Sequence, residues 1–321
     1  MALYLTEHDV EQLLTMSEAL TALEDAFRRQ ANGEAINQPR RRLHLPEGTY
    51  HTMVAADLGM DRFSIKAYAS FRPKTRFLVL HYAANSGDLL AIIEADRLGQ
   101  MRTGAASGVA TRRLARQGKP LRVGIYGTGW QAQSQLEAVC AACEVAQIVA
   151  YGRDAARREA FCHHMSAHLG LVVTPAARPE DAARKQDVVI TATTAREPVL
   201  RGEWLEPGVH VNAVGSNLLM KREVDEATVQ RSDLLVVDSI EQSKQEAGNL
   251  LPAYERRLFR WEQVIELSDI VSGRRPGRTD DAQITLFKSN GIALEDVAVA
   301  EVVYRKALEV NCGVEIPMWA G

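Results

Sequence analysis

Cysteine is scarce, with four residues in a chain of 321. That is too few for a disulfide framework, and it fits a reducing compartment. Cys140 and Cys143 form a CxxC, but the surrounding QLEAVCAACEVAQ reads as a buried helix and no second pair completes a zinc tetrad. His164 and His168 lie four apart on the helical stretch FCHHMSAHLG, without the intervening glutamate of a zinc protease, so they read as a solvated helix face. No metal is expected. Also missing is an excess of positive charge. The net charge is -3 with both signs interspersed, and the nearest approach to a basic cluster is Arg40, Arg41 and Arg42, which argues against a nucleic-acid partner. No apolar run approaches the roughly 20 residues that span a bilayer. The opening MALYLTEHDVEQLL carries acids where a secretion signal carries bases. The expectation is a cytoplasmic protein with no membrane partner.

What is present is ordinary for a globular protein: 46% hydrophobic and 25% charged residues, in a length that exceeds the usual limit of one core. Two domains follow. Residues 6 to 31 read as helical, with Thr6 and Asp9 as a capping box, Ser17 as a second N-cap candidate, and Leu20, Leu23, Ala26 and Phe27 at helical spacing. From Arg41 to Ala95 short runs such as SIKAYASF, FLVLHYAA and LLAIIEA are divided by the turn clusters PEG, RPK and NSGD, the pattern of a mostly antiparallel sheet. A small-residue helix then begins near MRTGAASG, and Gly118 with Pro120 ends it where the composition shifts.

Beyond that break LRVGIY, AQIVAY, LVVTP, DVVITAT, VHVNAVG and LLVVDS alternate with helical stretches, which means a parallel, doubly wound sheet. The final GIALEDVAVAEVVYRKALEV is an amphipathic helix with Ala293, Val297, Ala300, Val303 and Tyr304 along one side. The expected fold is α/β, a Rossmann sheet inserted into a sheet-rich α+β domain. Its expected boundaries are 1–118 for the first part of the outer domain, 119–292 for the Rossmann domain and 293–321 for the returning helix.

The segment LRVGIYGTGWQAQ places Gly127, Gly129 and Ala132 in GxGxxG/A spacing directly after a strand and at the start of a helix. A lone glycine turn of this kind is a weak signal. Strand before, helix after and five further strand candidates make it a dinucleotide fingerprint, held by Gly127, Thr128, Gly129, Trp130, Gln131 and Ala132. At the end of the second strand, in AQIVAYGRD, an acid that would hold the adenosine ribose hydroxyls is replaced by Gly152. Nothing there repels a 2′-phosphate. The adjacent Arg153 either pairs with it, favouring NADP with NAD possible, or lies solvated or stacked on the adenine. Thr193 and Thr194 close the fourth strand candidate at the carboxyl edge, where cofactors lie.

Several segments together resemble the ornithine cyclodeaminase and mu-crystallin family, which includes alanine dehydrogenases, cyclodeaminases and ketimine or pyrroline-carboxylate reductases: SIKAY, IEADRLGQMRTGAASG, YGTGWQAQ, DVVITATTAREPV, NAVGSN with KREVD, VVDSIEQSKQEAGNL and ITLFKSNGIALEDVA. The resemblance covers nearly the whole chain. It implies a homodimer built through the sheet-rich domain, with a small 2-amino or 2-imino acid held between that domain and the Rossmann crest. It also assigns carboxylate-binding roles to Lys66, Arg102 and an arginine of QPRRR, best matched by Arg41, although three consecutive arginines allow a slip of one position. Read alone, Lys66 is a snorkelling edge lysine. The resemblance further brings Asn290 and Gly291 near the nicotinamide.

One departure bears on the chemistry. Where the cyclodeaminases and the alanine dehydrogenase carry an aspartate two residues past the first glycine of the loop after the fifth strand, Gly215, Ser216 and Asn217 place an amide, which cannot act as a general base. Asp225 follows the family pattern but reads as a helix N-cap. The resemblance with this departure implies an NAD(P)-dependent oxidoreductase that reduces a small ketimine at C2, with Asn217 holding the substrate nitrogen. A cyclodeaminase lyase with recycled NAD, an amino-acid dehydrogenase and a noncatalytic NADP-binding protein are the alternatives.

Overall fold

The computed structural model describes residues 1–71 and 74–318. In chain order the elements are β1 (Ala2–Leu5), α1 (Glu7–Leu13), α2 (Met16–Ala31), β2 (Ala35–Leu45), β3 (Gly48–Asp57), β4 (Arg62–Phe71), β5 (Lys74–Ala83), β6 (Leu89–Glu94) and α3 (Asp96–Leu114). Then follow β7 (Leu121–Tyr126), α4 (Trp130–Ala142), β8 (Val145–Tyr151), α5 (Ala155–Leu169), β9 (Val173–Pro175), β10 (Val188–Thr191), β11 (His210–Ala213), α6 (Glu226–Gln230), β12 (Leu234–Val237), α7 (Ile240–Glu246), α8 (Leu251–Glu255), β13 (Ile265–Glu266), α9 (Leu267–Val271), β14 (Thr285–Lys288), α10 (Ala293–Glu309) and β15 (Val314–Ile316). The chain forms two compact units, one of residues 1–102 with 291–321 and one of residues 103–290.

The outer unit is a seven-stranded sheet in the order β15-β1-β6-β5-β4-β3-β2, antiparallel throughout β2 to β6, with β1 parallel to β6. Alternation along β3 sets its faces. His51, Met53, Ala55 and Asp57 are buried, and the residues between them are not. The covered face carries α10, which packs on β3, β4 and α2. At the start of the chain Thr6 and Asp9 make the expected reciprocal cap, Asp9 N–H donating to Thr6 Oγ1 at 3.3 Å and Thr6 N–H to Asp9 at 2.8 Å. Thr15, not Ser17, caps the second helix, because Thr15 alone is extended and pairs reciprocally with Glu18. The turn expected at RPK includes Arg72 and Pro73, which lie outside the described residues, as do residues 319–321 of the expected last domain.

The central unit is an eight-stranded, all-parallel sheet in the order β13-β12-β14-β11-β10-β7-β8-β9. Strands β10, β11 and β14 are buried along their whole length, as parallel strands covered on both faces must be. The six expected strands are all present. Two more, β13 and β14, join them. The first boundary falls after Arg102 rather than at 118, since the second half of α3 is built into the central unit: Asn212 on β11 donates to Thr111 at 2.8 Å, and a side chain at Gly104 would run into Ser134 of α4. The helix itself ends at Leu114, and Gly118 and Pro120 lie in the loop beyond it.

Among the described residues no group of three or more His, Cys, Asp or Glu could hold a metal, and no helix is long and apolar enough to cross a membrane. All four cysteines are free thiols.

Candidate active site

In the outer unit the covered face of the sheet gathers charge. Lys66 lies mid-way along β4 and is 2% exposed, and Arg102 is likewise buried on α3. Both reach the first turn of α10. Lys66 Nζ donates to Asp296 Oδ1 at 2.8 Å, Arg102 Nε donates to the same oxygen at 3.1 Å, and an Arg102 terminal nitrogen donates to Glu295 Oε2 at 2.7 Å. Gly99 on α3 stands over Lys66, where an added Cβ would lie 2.7 Å from Nζ.

Arg40 joins this cluster and Arg41 does not. The strand period of two turns Arg40 inward, where it is buried and donates to the Gly291 carbonyl at 3.0 Å, and leaves Arg41 exposed on the opposite face. The register shift between Gln38 and Arg41 decides which arginine faces in. Gly291 has φ +76, and a side chain there would strike the Arg102 guanidinium, so glycine is required for both reasons.

Burial lowers the Lys66 ammonium to about 8, against the pull of Asp296, with Arg102 and Arg40 adding to the lowering. Burial opposes the charge on Arg102 as well, but the carboxylates of Asp296 and Glu295 outweigh it and raise that guanidinium above its ordinary value. Three cations, Arg40, Lys66 and Arg102, face two carboxylates, Glu295 and Asp296. The basic groups thus gather in one buried place, where planar and ammonium donors suit a carboxylate.

In the central unit the fingerprint turn joins β7 to α4. Gly127 has φ +111, and a side chain there would meet the Ala192 carbonyl in the segment after β10. Gly129 is the N-cap of α4 and makes no side-chain cap bond. A Cβ there would meet nothing within 4 Å. The helix start therefore carries no side-chain cap and adjoins open space, and Ala132 is buried against the strands, which fits a pyrophosphate. Thr128 touches the space a Gly152 side chain would take, Gln131 is half-buried in the first turn, and Trp130 is 45% exposed.

At the end of β8 Gly152 is followed by exposed Arg153, while Asp154 is occupied as the N-cap of α5, accepting from Arg157 N–H at 3.0 Å. Thr194 is exposed after β10, and Asn217 is half-buried in the loop after β11. Asn290 is buried, donating its backbone N–H to Asp238 at 2.6 Å and its amide to Ser243 at 2.7 Å. Asp225 is the cap it was expected to be, accepting from Thr228 N–H at 2.8 Å.

Sequence reasoning singled out neither Glu295 nor Asp296, although both stand in the GIALEDVA segment. It also missed Glu223. This buried glutamate accepts from Thr193 N–H at 2.6 Å, Thr193 Oγ1 at 2.9 Å, Gly215 N–H at 2.7 Å and Thr191 Oγ1 at 3.1 Å. Its donors lie as far as 32 residues away in the chain, so no local pattern announces it.

A family described as ornithine cyclodeaminase/mu-crystallin matches residues 2–311. Among curated relatives, a Delta(1)-pyrroline-2-carboxylate reductase of Bacillus cereus is 37% identical over 72% of this chain and 71% of its own. Among solved structures, the Delta(1)-pyrroline-2-carboxylate reductase of Thermococcus litoralis in complex with NADH and L-proline superposes with a TM-score of 0.93 at 34% identity, covering 98% of this chain and 100% of that one. An archaeal alanine dehydrogenase dimer with bound NAD gives 0.93 at 33% identity, with 99% of each chain covered.

Proposed function

Since the chain belongs to the ornithine cyclodeaminase/mu-crystallin family, we propose that it reduces a small 2-imino acid, cyclic or open, to the amino acid by hydride transfer to C2, with NAD(P)H as the reductant. The single observation that carries this reading is the buried convergence of Lys66, Arg102 and Arg40 beside the start of α10, where Lys66 and Arg102 meet Asp296 and Glu295. A substrate carboxylate is the natural ligand of such a basic cluster, and the planar arginine forks fix its orientation. Lys66, charged at neutral pH yet close to its titration point, can pass a proton to the imine nitrogen and recover it from water. The nicotinamide, when bound, supplies the hydride. Positioning and electrostatics furnish the rest, because an iminium carbon is already electrophilic.

Asn217 serves in this reading as an uncharged hydrogen-bonding group for the substrate nitrogen. Gly152 and Arg153 favour NADPH over NADH, since no carboxylate ends β8 to repel a 2′-phosphate. The same reading includes a homodimer. Leu43, Leu45, Tyr50 and Leu78 are exposed on the uncovered face of the outer sheet, an apolar surface suited to a second copy. Residues 1–102 with 291–321 serve as the substrate and dimerisation domain and residues 103–290 as the dinucleotide domain.

The test is a coupled assay. Oxidation of NADPH or NADH with Delta(1)-pyrroline-2-carboxylate and open ketimines is expected, with no ammonia released from ornithine in the absence of reductant. Ammonia and proline formed from ornithine with unconsumed NAD would replace the reductase reading with the lyase.

A further inference from the structure

We propose that Glu223 is a positioning residue for the dinucleotide: it does not touch the cofactor, but holds in register the backbone segments after β10 and β11, the first of which lies against the fingerprint turn. This rests on the reading that NAD(P)H lies at the carboxyl edge of the parallel sheet. Glu223 precedes α6, and its side chain is fully buried between the segments that follow β10 and β11. Oε1 receives the Thr193 amide and hydroxyl, and Oε2 receives the Gly215 amide and the Thr191 hydroxyl.

The packing around it leaves no slack. A side chain at Gly215 would meet both Glu223 Oε1 and the Thr193 backbone, and one at Gly127 would meet the Ala192 carbonyl. The carboxylate thus closes the β11 segment on the β10 segment, and the β10 segment in turn lies against the first glycine of the fingerprint. Glu223 is itself fixed, its backbone N–H donating to Asn249 Oδ1 at 2.7 Å. Behind it Lys288, wholly buried on β14, donates to the Ser216 and Ser289 carbonyls, so the segment beside Gly215 is gripped from a second strand.

The donor set explains why the residue is an acid. Two of the four donors are backbone amides, which cannot turn to become acceptors, and they address different oxygens of the same side chain. Only a group that accepts through both oxygens satisfies them. Burial pushes the carboxyl above its usual range, while the amide and hydroxyl of Thr193, the charge of Lys288 and the Gly215 amide draw it back.

Glu223→Gln keeps the shape and must set an NH2 group against one amide N–H. The experiment measures NADPH and NADH binding by fluorescence, the Michaelis constants for cofactor and imino acid, and the melting temperature without cofactor. In Glu223→Gln we expect cofactor binding weakened at least about tenfold. The imino-acid KM at saturating cofactor should be unchanged. Glu223→Asp, which retains both acceptors on a shorter stem, should recover part of the affinity. Gly129→Val, which occupies the pyrophosphate space directly, is the control for the site itself.

Unchanged cofactor affinity in Glu223→Gln, with Gly129→Val still abolishing binding, overturns the positioning role. A lowered melting temperature with normal KM values also overturns it, leaving Glu223 a purely structural brace. If the wild type binds neither NADPH nor NADH, or Gly129→Val binds normally, the reading of the cofactor site fails first.

Discussion

Lys66 is placed so that its charge depends on small changes around it. Burial lowers it to about 8 from 10.5, so the ammonium is kept below that pH and lost above it. Because the charged form is the one that holds a carboxylate, kcat/KM for the imino acid should be flat on the acid side and fall as pH rises through about 8. Lys66→Arg should abolish that falling limb even if its overall rate is lower, since a guanidinium stays charged. An identical limb in Lys66→Arg would assign the titration to another group. Arg153 is tested by its selectivity: Arg153→Ala should weaken NADPH by roughly one to two decades and NADH much less. Equal losses measured by fluorescence titration would remove the 2′-phosphate role. At this scale the sequence revealed residue types better than partners. Lys66 and Arg102 were visible in their motifs, but the choice of Arg40 over Arg41 rests on a register shift in β2 that no residue pattern announces. Asp296 and Glu295 were hidden because helix-start acids are also common as plain dipole partners.

Elements were legible where periodicity ran long. The runs of β4 to β6 between their turn clusters, the six apolar strands of the parallel sheet and α10 could all be read from the sequence. β14 could not, for it has four residues and ends on buried Lys288, whose charge breaks the apolar run. β13 is shorter still, with two residues. The helix α3 shows how function acts on an element. Gly99 lies in its first turn, where alanine is the better helix former by about 1 kcal/mol. A methyl there would press on Lys66 Nζ. Gly99→Ala is therefore expected to keep or raise the melting temperature while raising the imino-acid KM several-fold. A variant that gains stability with unchanged KM would show that Lys66 has room to move.

At the scale of the whole molecule the uncovered face of the outer sheet is the feature a single chain leaves unexplained. Leu43 is 59% exposed and pairs across the strands with Tyr50, itself on that face. If this face joins two copies, Leu43→Glu should shift the protein toward monomer in sedimentation, because each copy contributes the buried charge once and an isologous contact brings it in twice. An unchanged sedimentation coefficient would move the interface elsewhere.

The pairing of Lys66 and Arg102 with Asp296 and Glu295 also has a history in time. On the ribosome the strand and helix that carry the two cations emerge long before the helix that carries their carboxylates, and the whole parallel sheet is made in between. Until α10 arrives those cations stay in water, since burying them unpaired is too costly. The inserted unit, continuous in the chain, is free to fold first, while the outer sheet waits for α10. In pulse-labelled refolding, where α10 is present from the start, the continuous unit still has the shorter loops to close, so amides of β7 and β10 should gain protection before those of β4. Simultaneous protection would mean that the two units fold as one cooperative body.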